Sequence, residues 1–278
     1  MRFKFDSDLH IHSRLSLCSG DERQTSERIL QYAKDNGLKT VCITDHFWDE
    51  NVAFGDEIKS DPNIEYVVNW YREQNFEHIS ASKPLPQADG IKFLFGCETE
   101  MLKDMTLGIS KKTFDKFDFV VIPTTHFHMK GFTIADDAAS PAQKADFWFK
   151  KLNALLDMDL PFGKIGIAHL TCGLMAPSRD KYLEILSLLD RDRLSGVFKK
   201  AARCGVGIEL NSDDMDYRLS ERETVLAPYR IAKESGCKFY FGSDAHHPEQ
   251  LEIARMIFER AIDDLELDEK DKFVIWEK

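Results

Sequence analysis

The chain has no run of 18 or more apolar residues, no Cys-x-x-Cys pair and no excess of positive charge, and each absence removes a class of function. Without a long apolar run, no helix is expected to cross a bilayer. No basic segment followed by an apolar stretch precedes the first strand-like run, so the expectation is a soluble, cytoplasmic protein without membrane contact. The six cysteines are dispersed, which fits reduced thiols better than a disulfide framework. Lys and Arg number 37 against 48 Asp and Glu, a formal charge of -11. A non-specific nucleic-acid binder needs the opposite balance, because its affinity comes from neutralising phosphates. The balance still admits a phosphate ester as substrate, since bound divalent cations would supply a positive local field.

What is present is a regular alternation. Hydrophobic runs at 3–9, 39–44, 92–97, 118–123, 164–168, 206–210 and 238–241 read as strands, and helix-sized segments separate them. Among the expected helices are one ending at Gly37, one over 62–80 with Ile64, Val67, Val68 and Tyr71 as its apolar stripe, and one over 191–204. This order predicts an α/β fold with a parallel sheet, organised as one domain over 1–278. A charged tail at about 265–278 carries a short apolar piece, 273–276, placed to pack under the fold.

The polar residues are concentrated where the hydrophobic runs stop. Asp8-Leu9-His10-Ile11-His12, Thr44-Asp45-His46, Glu98-Thr99-Glu100, Thr125-His126-Phe127-His128, His169, Glu209-Leu210-Asn211 and Ser243-Asp244-Ala245-His246-His247 each occupy such an end. Eight of the nine histidines lie there; His78 is the exception and reads as an ordinary exposed helix residue. A lone His-x-His carries little information, but its repetition by other ligand types at successive strand ends does. On an uninterrupted strand, Asp8, His10 and His12 would share one face. Because so many strand ends contribute, a closed barrel explains the pattern better than an open sheet with one switch point. The His, Asp and Glu side chains suffice for two or three divalent ions of Zn, Mn or Fe, with carboxylates able to bridge adjacent ions.

Taken together, these segments resemble the PHP family, named for polymerase and histidinol phosphatase domains. The motifs are Asp8-Leu9-His10-Ile11-His12-Ser13, Thr44-Asp45-His46, Gly96-Cys97-Glu98, the strand leading to His126, Ala168-His169 and Gly242-Ser243-Asp244-Ala245-His246, and the resemblance covers nearly the whole chain. It implies a distorted seven-stranded β/α (TIM-like) barrel with a metal cluster in its C-terminal opening. Carried onto this sequence, His10 and His12 bind a first metal with Glu98 and Asp244. Glu98 bridges to a second metal held by His126 and His169, and a third uses His46 and His246. The family often has another histidine or acid where this chain has Cys18, so the third site is completed by Cys18, by Asp21, or is weak.

The implied activity is metal-dependent hydrolysis of a small-molecule phosphomonoester, with a water held between the metals as nucleophile and Asp244 available for proton transfer beside Glu98. Arg14, Lys130, Arg179 and Arg218 each follow a strand-end motif closely and are candidate phosphate clamps. Asp8, Asp45, His128, Glu209, Asn211 and His247 are expected to support the ligands or face the substrate. The alternatives are a nucleotide or DNA-end phosphoesterase and a non-catalytic metal-binding regulatory protein. A substrate panel on the metal-reconstituted protein separates them. Self-association into a homo-oligomer is left open.

Overall fold

Seven parallel strands form a single sheet whose spatial order is the chain order. They are β1 (Ser7–Ile11), β2 (Thr40–Ile43), β3 (Lys92–Glu98), β4 (Phe119–Pro123), β5 (Ile165–Ala168), β6 (Gly207–Asn211) and β7 (Lys238–Gly242). The computed structural model describes residues 1–135 and 137–276, so the last two positions of the expected tail lie outside the described residues. Alternation along the strands divides the side chains into two layers. Leu9, Cys42, Leu94, Val121, Ala168 and Tyr240 pack inside the ring, whereas Val41, Ile43, Phe93, Val120 and Ile167 face the helices.

The outer elements are α1 (Ser26–Asn36), α2 (Asp56–Lys59), α3 (Glu65–Glu73), α4 (Phe76–Ser80), α5 (Pro141–Asp157), α6 (Arg179–Ser187), α7 (Arg191–Cys204), α8 (Arg222–Glu234) and α9 (Pro248–Asp264). Thr25 caps the start of α1 by accepting from the Arg28 N–H, and Gly37 ends it with a left-handed φ of 63°. The segment expected as one helix over 62–80 is two helices. Gln74 breaks it by turning inward: its carbonyl accepts from the Trp48 N–H at 2.9 Å and its side-chain oxygen from the Leu17 N–H at 3.2 Å. Asn75 then caps α4 by accepting from the His78 N–H.

The ring is a nearly closed barrel, consistent with the distorted β/α barrel expected. The β1–β7 seam is joined by the segment after β7 and not by a regular ladder. Asp244 N–H donates to the His10 carbonyl at 2.7 Å and His12 N–H to the Ala245 carbonyl at 3.1 Å. At the opposite end, Phe273 inserts its ring beside Phe119 and Tyr240, and its N–H donates to the Phe239 carbonyl at 2.7 Å. Burying such a side chain contributes about 1.5–3 kcal/mol. The apolar piece of the tail therefore closes the lower mouth, leaving the strand C termini as the open one.

One local expectation fails. The β1–β2 register shifts between Asp8 and Ile11, a bulge that breaks the two-residue alternation. Leu9 stays inside, Ile11 joins the helix-facing layer, and Asp8 reaches Tyr32 of α1, its carboxylate accepting from the hydroxyl at 3.0 Å. Asp8 thus leaves the face that His10 and His12 occupy.

Candidate metal centre

The bulge on β1 turns His10 inward against β6. Its Nδ1 lies 2.6 Å from Glu209 Oε1, and the other Glu209 oxygen accepts from the His169 N–H at 2.9 Å and from Asn211 Nδ2 at 3.2 Å. One buried carboxylate thereby ties β1, the end of β5 and β6 together. Gly242 makes this possible: a Cβ there would come within 2.0 Å of Glu209 Oε1 and 2.7 Å of His10 Cβ. His12 is held similarly by Ser16, its Nδ1 lying 2.7 Å from the hydroxyl oxygen. With Nδ1 of each ring engaged, both Nε2 atoms point into one space, 3.2 Å apart.

Glu98, at the end of β3, occupies the centre of that space. Its Oε2 lies 3.6 Å from His10 Nε2, 3.3 Å from His12 Nε2 and 3.0 Å from His46 Nδ1, while Oε1 turns toward His169 Nε2 at 3.8 Å. Asp244 completes the ring: Oδ1 is 3.4 Å from His10 Nε2 and 3.0 Å from His12 Nε2, and Oδ2 is 3.1 Å from His169 Nε2. Asp244 and His169 both adopt left-handed backbone, with φ of 54° and 53°. Non-glycine residues rarely do so, and Asp and His are among those that tolerate it.

Among the described residues five sets of donors have their ligand atoms within 4.8 Å of one another, and three of them combine the expected ligands: His10, His12, Glu98 and Asp244; Glu98, His126 and His169; and His12, Cys18, His46 and His246. Cys18 Sγ is 3.0 Å from His246 Nε2, whereas Asp21 is engaged by Arg23 through a 2.6 Å ion pair and stands outside these sets.

The electrostatics suit a divalent cation. Burial opposes charge on Glu98, but the charged His10 and the hydrogen bonds from His10 and His12 overturn this and hold its carboxyl well below the usual range. Burial acts the same way on Asp244, where His10 and His169 prevail. Desolvation depresses the imidazoles in turn, yet Glu209, Asp244 and Glu98 keep His10 well above the histidine range, and Asp244 and Glu98 leave His12 at about 9. Desolvation wins at His46, driven well below its ordinary value, and at His246, pushed down to about 4. Protons on imidazoles balance the buried acids here, and a metal ion would replace those protons. The lone pairs converging on a space bordered by Glu98 Oε1 and Asp244 Oδ1, neither hydrogen-bonded, fit such an ion.

The remaining expected residues separate into two groups. His128 and Arg179 line the cavity above the donors, about 570 Å³ in volume. Arg179 is the one Lys or Arg among its described lining residues, and its Nη2 is paired with Glu221 at 2.6 Å. Arg14 points away and pairs with Glu22, and neither Lys130 nor Arg218 lines the cavity. Proximity in sequence placed those three near the mouth without fixing the direction of their side chains. Asp8 holds the Ser243 N–H at 3.0 Å and no imidazole ring, while Asp45 accepts from the N–H and hydroxyl of Ser13 at 2.6 and 2.7 Å. His247 precedes α9 outside the cavity. His78 is half-buried, and its Nε2 lies 2.6 Å from the Leu15 carbonyl.

Sequence reasoning gave no individual role to Glu100 or Ser16. Glu100 Oε1 lies 2.7 Å from His126 Nδ1 and accepts from the Tyr71 hydroxyl at 2.9 Å, doing for His126 what Glu209 does for His10. Its signal was present, two residues beyond Glu98 at the same strand end. His169, Cys172 and Asp214 form a further buried group, and burial raises the Asp214 carboxyl to about 7.

A parallel barrel that gathers six imidazoles and two acids at its strand C termini belongs to the class of metal-dependent phosphoester hydrolases. More specifically, the chain belongs to the PHP domain family, whose model matches residues 8–213. A probable phosphatase of Caldicellulosiruptor saccharolyticus is 23% identical over 249 residues, covering 89% of this chain and 82% of that protein. In fold, the chain is similar to histidinol phosphate phosphatase from Lactococcus lactis subsp. lactis Il1403, solved with zinc, L-histidinol and phosphate. That similarity has a TM-score of 0.54 at 18% identity, over 92% of this chain and 93% of the other.

Proposed function

We propose that the protein hydrolyses a small-molecule phosphomonoester, using two or three divalent ions drawn from Zn, Mn and Fe. The observation that carries this reading is the position of Glu98, whose two oxygens face different donor groups, Oε2 toward His10, His12 and His46 and Oε1 toward His169. Divalent cations bound there would supply an activated water and neutralise phosphoryl charge. His10, His12, Asp244, His126 and His169 are the residues that would hold them beside Glu98, with His46, His246 and Cys18 at the third position.

The chain's own contribution is orientation and charge. Glu209 and Glu100 fix the rings of His10 and His126, so that the opposite nitrogens stay aimed at the centre. Arg179 at the cavity wall could meet a phosphate oxygen, and Asp244 could take the proton released by the attacking water and pass it to the departing ester oxygen. The acidic balance and the single guanidinium in the cavity favour a small ester over a nucleic-acid end.

The test is phosphate release from a panel of monoesters by separately Zn-, Mn- and Fe-reconstituted protein, beside Glu98→Gln. Turnover with at least one metal, reduced about a thousandfold or more in the variant, is expected for loss of a bridging charge. Metal-loaded wild-type protein that releases no phosphate from any ester would overturn the proposal.

A further inference from the structure

The long connection between β2 and β3 builds a hydrophobic cluster of its own, apart from the barrel core. Trp48, Phe54, Ile64, Val68, Leu102 and Phe132 are among its buried members, and Trp70 and Met129 are partly buried against it. This satellite core fixes α3, which is also anchored by the hydrogen bond from the Tyr71 hydroxyl to Glu100. Tyr66 and Trp70, four residues apart, lie on the same side of α3, and both line the cavity with Val67 and Met129. Trp70 reaches the donor cluster itself, its ring 5.2 Å from that of His46 in an edge-on arrangement. Tyr66 is 75% exposed, a large aromatic left open at the mouth.

The segment after β5 adds Leu174, 45% exposed, and Tyr182 to the same cavity. No charged side chain of α3 lines the space, and the guanidinium of Arg179 is already paired with Glu221 and stacked over Tyr182 at 4.7 Å. Apart from the donor cluster and this one partnered cation, the ionisable side chains of the wall include His128 and Asp213, both outside α3, and α3 itself offers flat aromatic surface. A second phosphate finds no complement on α3, whereas a planar ring can stack there.

Resting on the phosphomonoesterase reading above, we infer that the preferred substrate is the monophosphate of an alcohol that carries a planar aromatic ring, with the ring held by Trp70 and Tyr66 of α3. The wall lies beside His46, so an ester whose phosphate meets the donor cluster brings a ring a few bonds away onto Trp70. The β2–β3 connection is then the specificity element, and the barrel supplies the chemistry.

Binding of inert analogues tests this independently of turnover. Calorimetric titration of the Zn-loaded protein with 1-naphthylmethylphosphonate and with methylphosphonate compares two ligands of equal charge that differ in the ring. The aryl ligand is expected to bind about tenfold more tightly or better. That ratio falls to within about twofold of unity in Trp70→Ala, is largely kept in Trp70→Phe, and drops about threefold in Tyr66→Ala, whose exposed side chain can be removed without loss of folding. Equal binding of the two phosphonates to the wild type, or a ratio unchanged by both alanine substitutions at equal metal content, overturns this inference alone. Failure of both phosphonates to bind the metal-loaded protein sinks the phosphoester reading and this inference with it. Hydrolysis of glycerol phosphate in preference to 1-naphthylmethyl phosphate would contradict the aryl preference while leaving the phosphoesterase reading intact.

Discussion

Glu209 contacts no open space, yet its two oxygens position an imidazole, a backbone amide and an asparagine from different strand ends. Replacing it with glutamine keeps the shape and removes the charge that holds the His10 proton. Metal affinity is expected to fall about 10- to 100-fold in Glu209→Gln, measured by competition with a chromophoric chelator. Unchanged affinity would show that His10 needs no such support. Cys18 makes a narrower case. With Sγ 3.0 Å from His246 Nε2 and Asp21 occupied by Arg23, Cys18→Ser is expected to lower bound metal by about one equivalent, read by mass spectrometry of the native protein. Retention of every equivalent would assign the third position to other donors. The donor types were legible residue by residue, because ligand chemistry is written in the side chain. Orientation was not: the bulge that turned Asp8 away from His10 depends on the β1–β2 register, and the directions of Arg14, Lys130 and Arg218 depend on loop paths that no spacing encodes.

At the scale of elements, α5 has a part that its sequence does not announce. Lys151 is fully buried, and its ammonium donates to the carbonyls of Met101 at 2.6 Å and Thr133 at 3.3 Å, binding together the loops that carry Glu100 and His126. Desolvation lowers its pKa to about 8. In the unfolded chain the amine titrates near ~10.4, so between about pH 8 and 10.4 the unfolded state holds more protons. Stability therefore gains a contribution as pH rises through that window, on the order of 3 kcal/mol in all. Chemical denaturation of wild type and Lys151→Met across pH 7–10.5 should show the wild type improving relative to the variant; parallel curves would contradict the shift. The seven strands were readable from period, whereas the short α2 lies in a stretch whose lack of a sustained period reads as loop. The helix 191–204 stands as expected, as α7, because Asp190 caps its start and Gly205 its end. The break in the 62–80 helix was hidden because Gln74 answers to Trp48 and Leu17, both remote in sequence.

Over the whole molecule, the barrel keeps its two mouths distinct. Phe273 seals one, and the other collects the titratable groups whose charges are coupled. A cation that binds the folded chain and not the unfolded one stabilises it by mass action, about 4 kcal/mol at a thousandfold excess over its dissociation constant. Reconstitution is expected to raise the melting temperature by several degrees and chelation to reverse it, monitored by calorimetry; no change on loading would mean that the donors take no metal. The barrel itself was legible because every strand ended in polar residues of one kind. The aromatic wall was not, since Tyr66 and Trp70 become neighbours of His46 only when the β2–β3 connection folds back over the mouth.

The central claim is that Glu98 bridges ions held by separate groups of donors. Metal-edge anomalous diffraction from crystals of the reconstituted protein measures this most directly. The account predicts at least two anomalous peaks, each with a Glu98 oxygen in its coordination shell, one beside His10, His12 and Asp244 and the other beside His126 and His169. A fully loaded crystal with a single peak, or with two peaks that do not share Glu98, would contradict it.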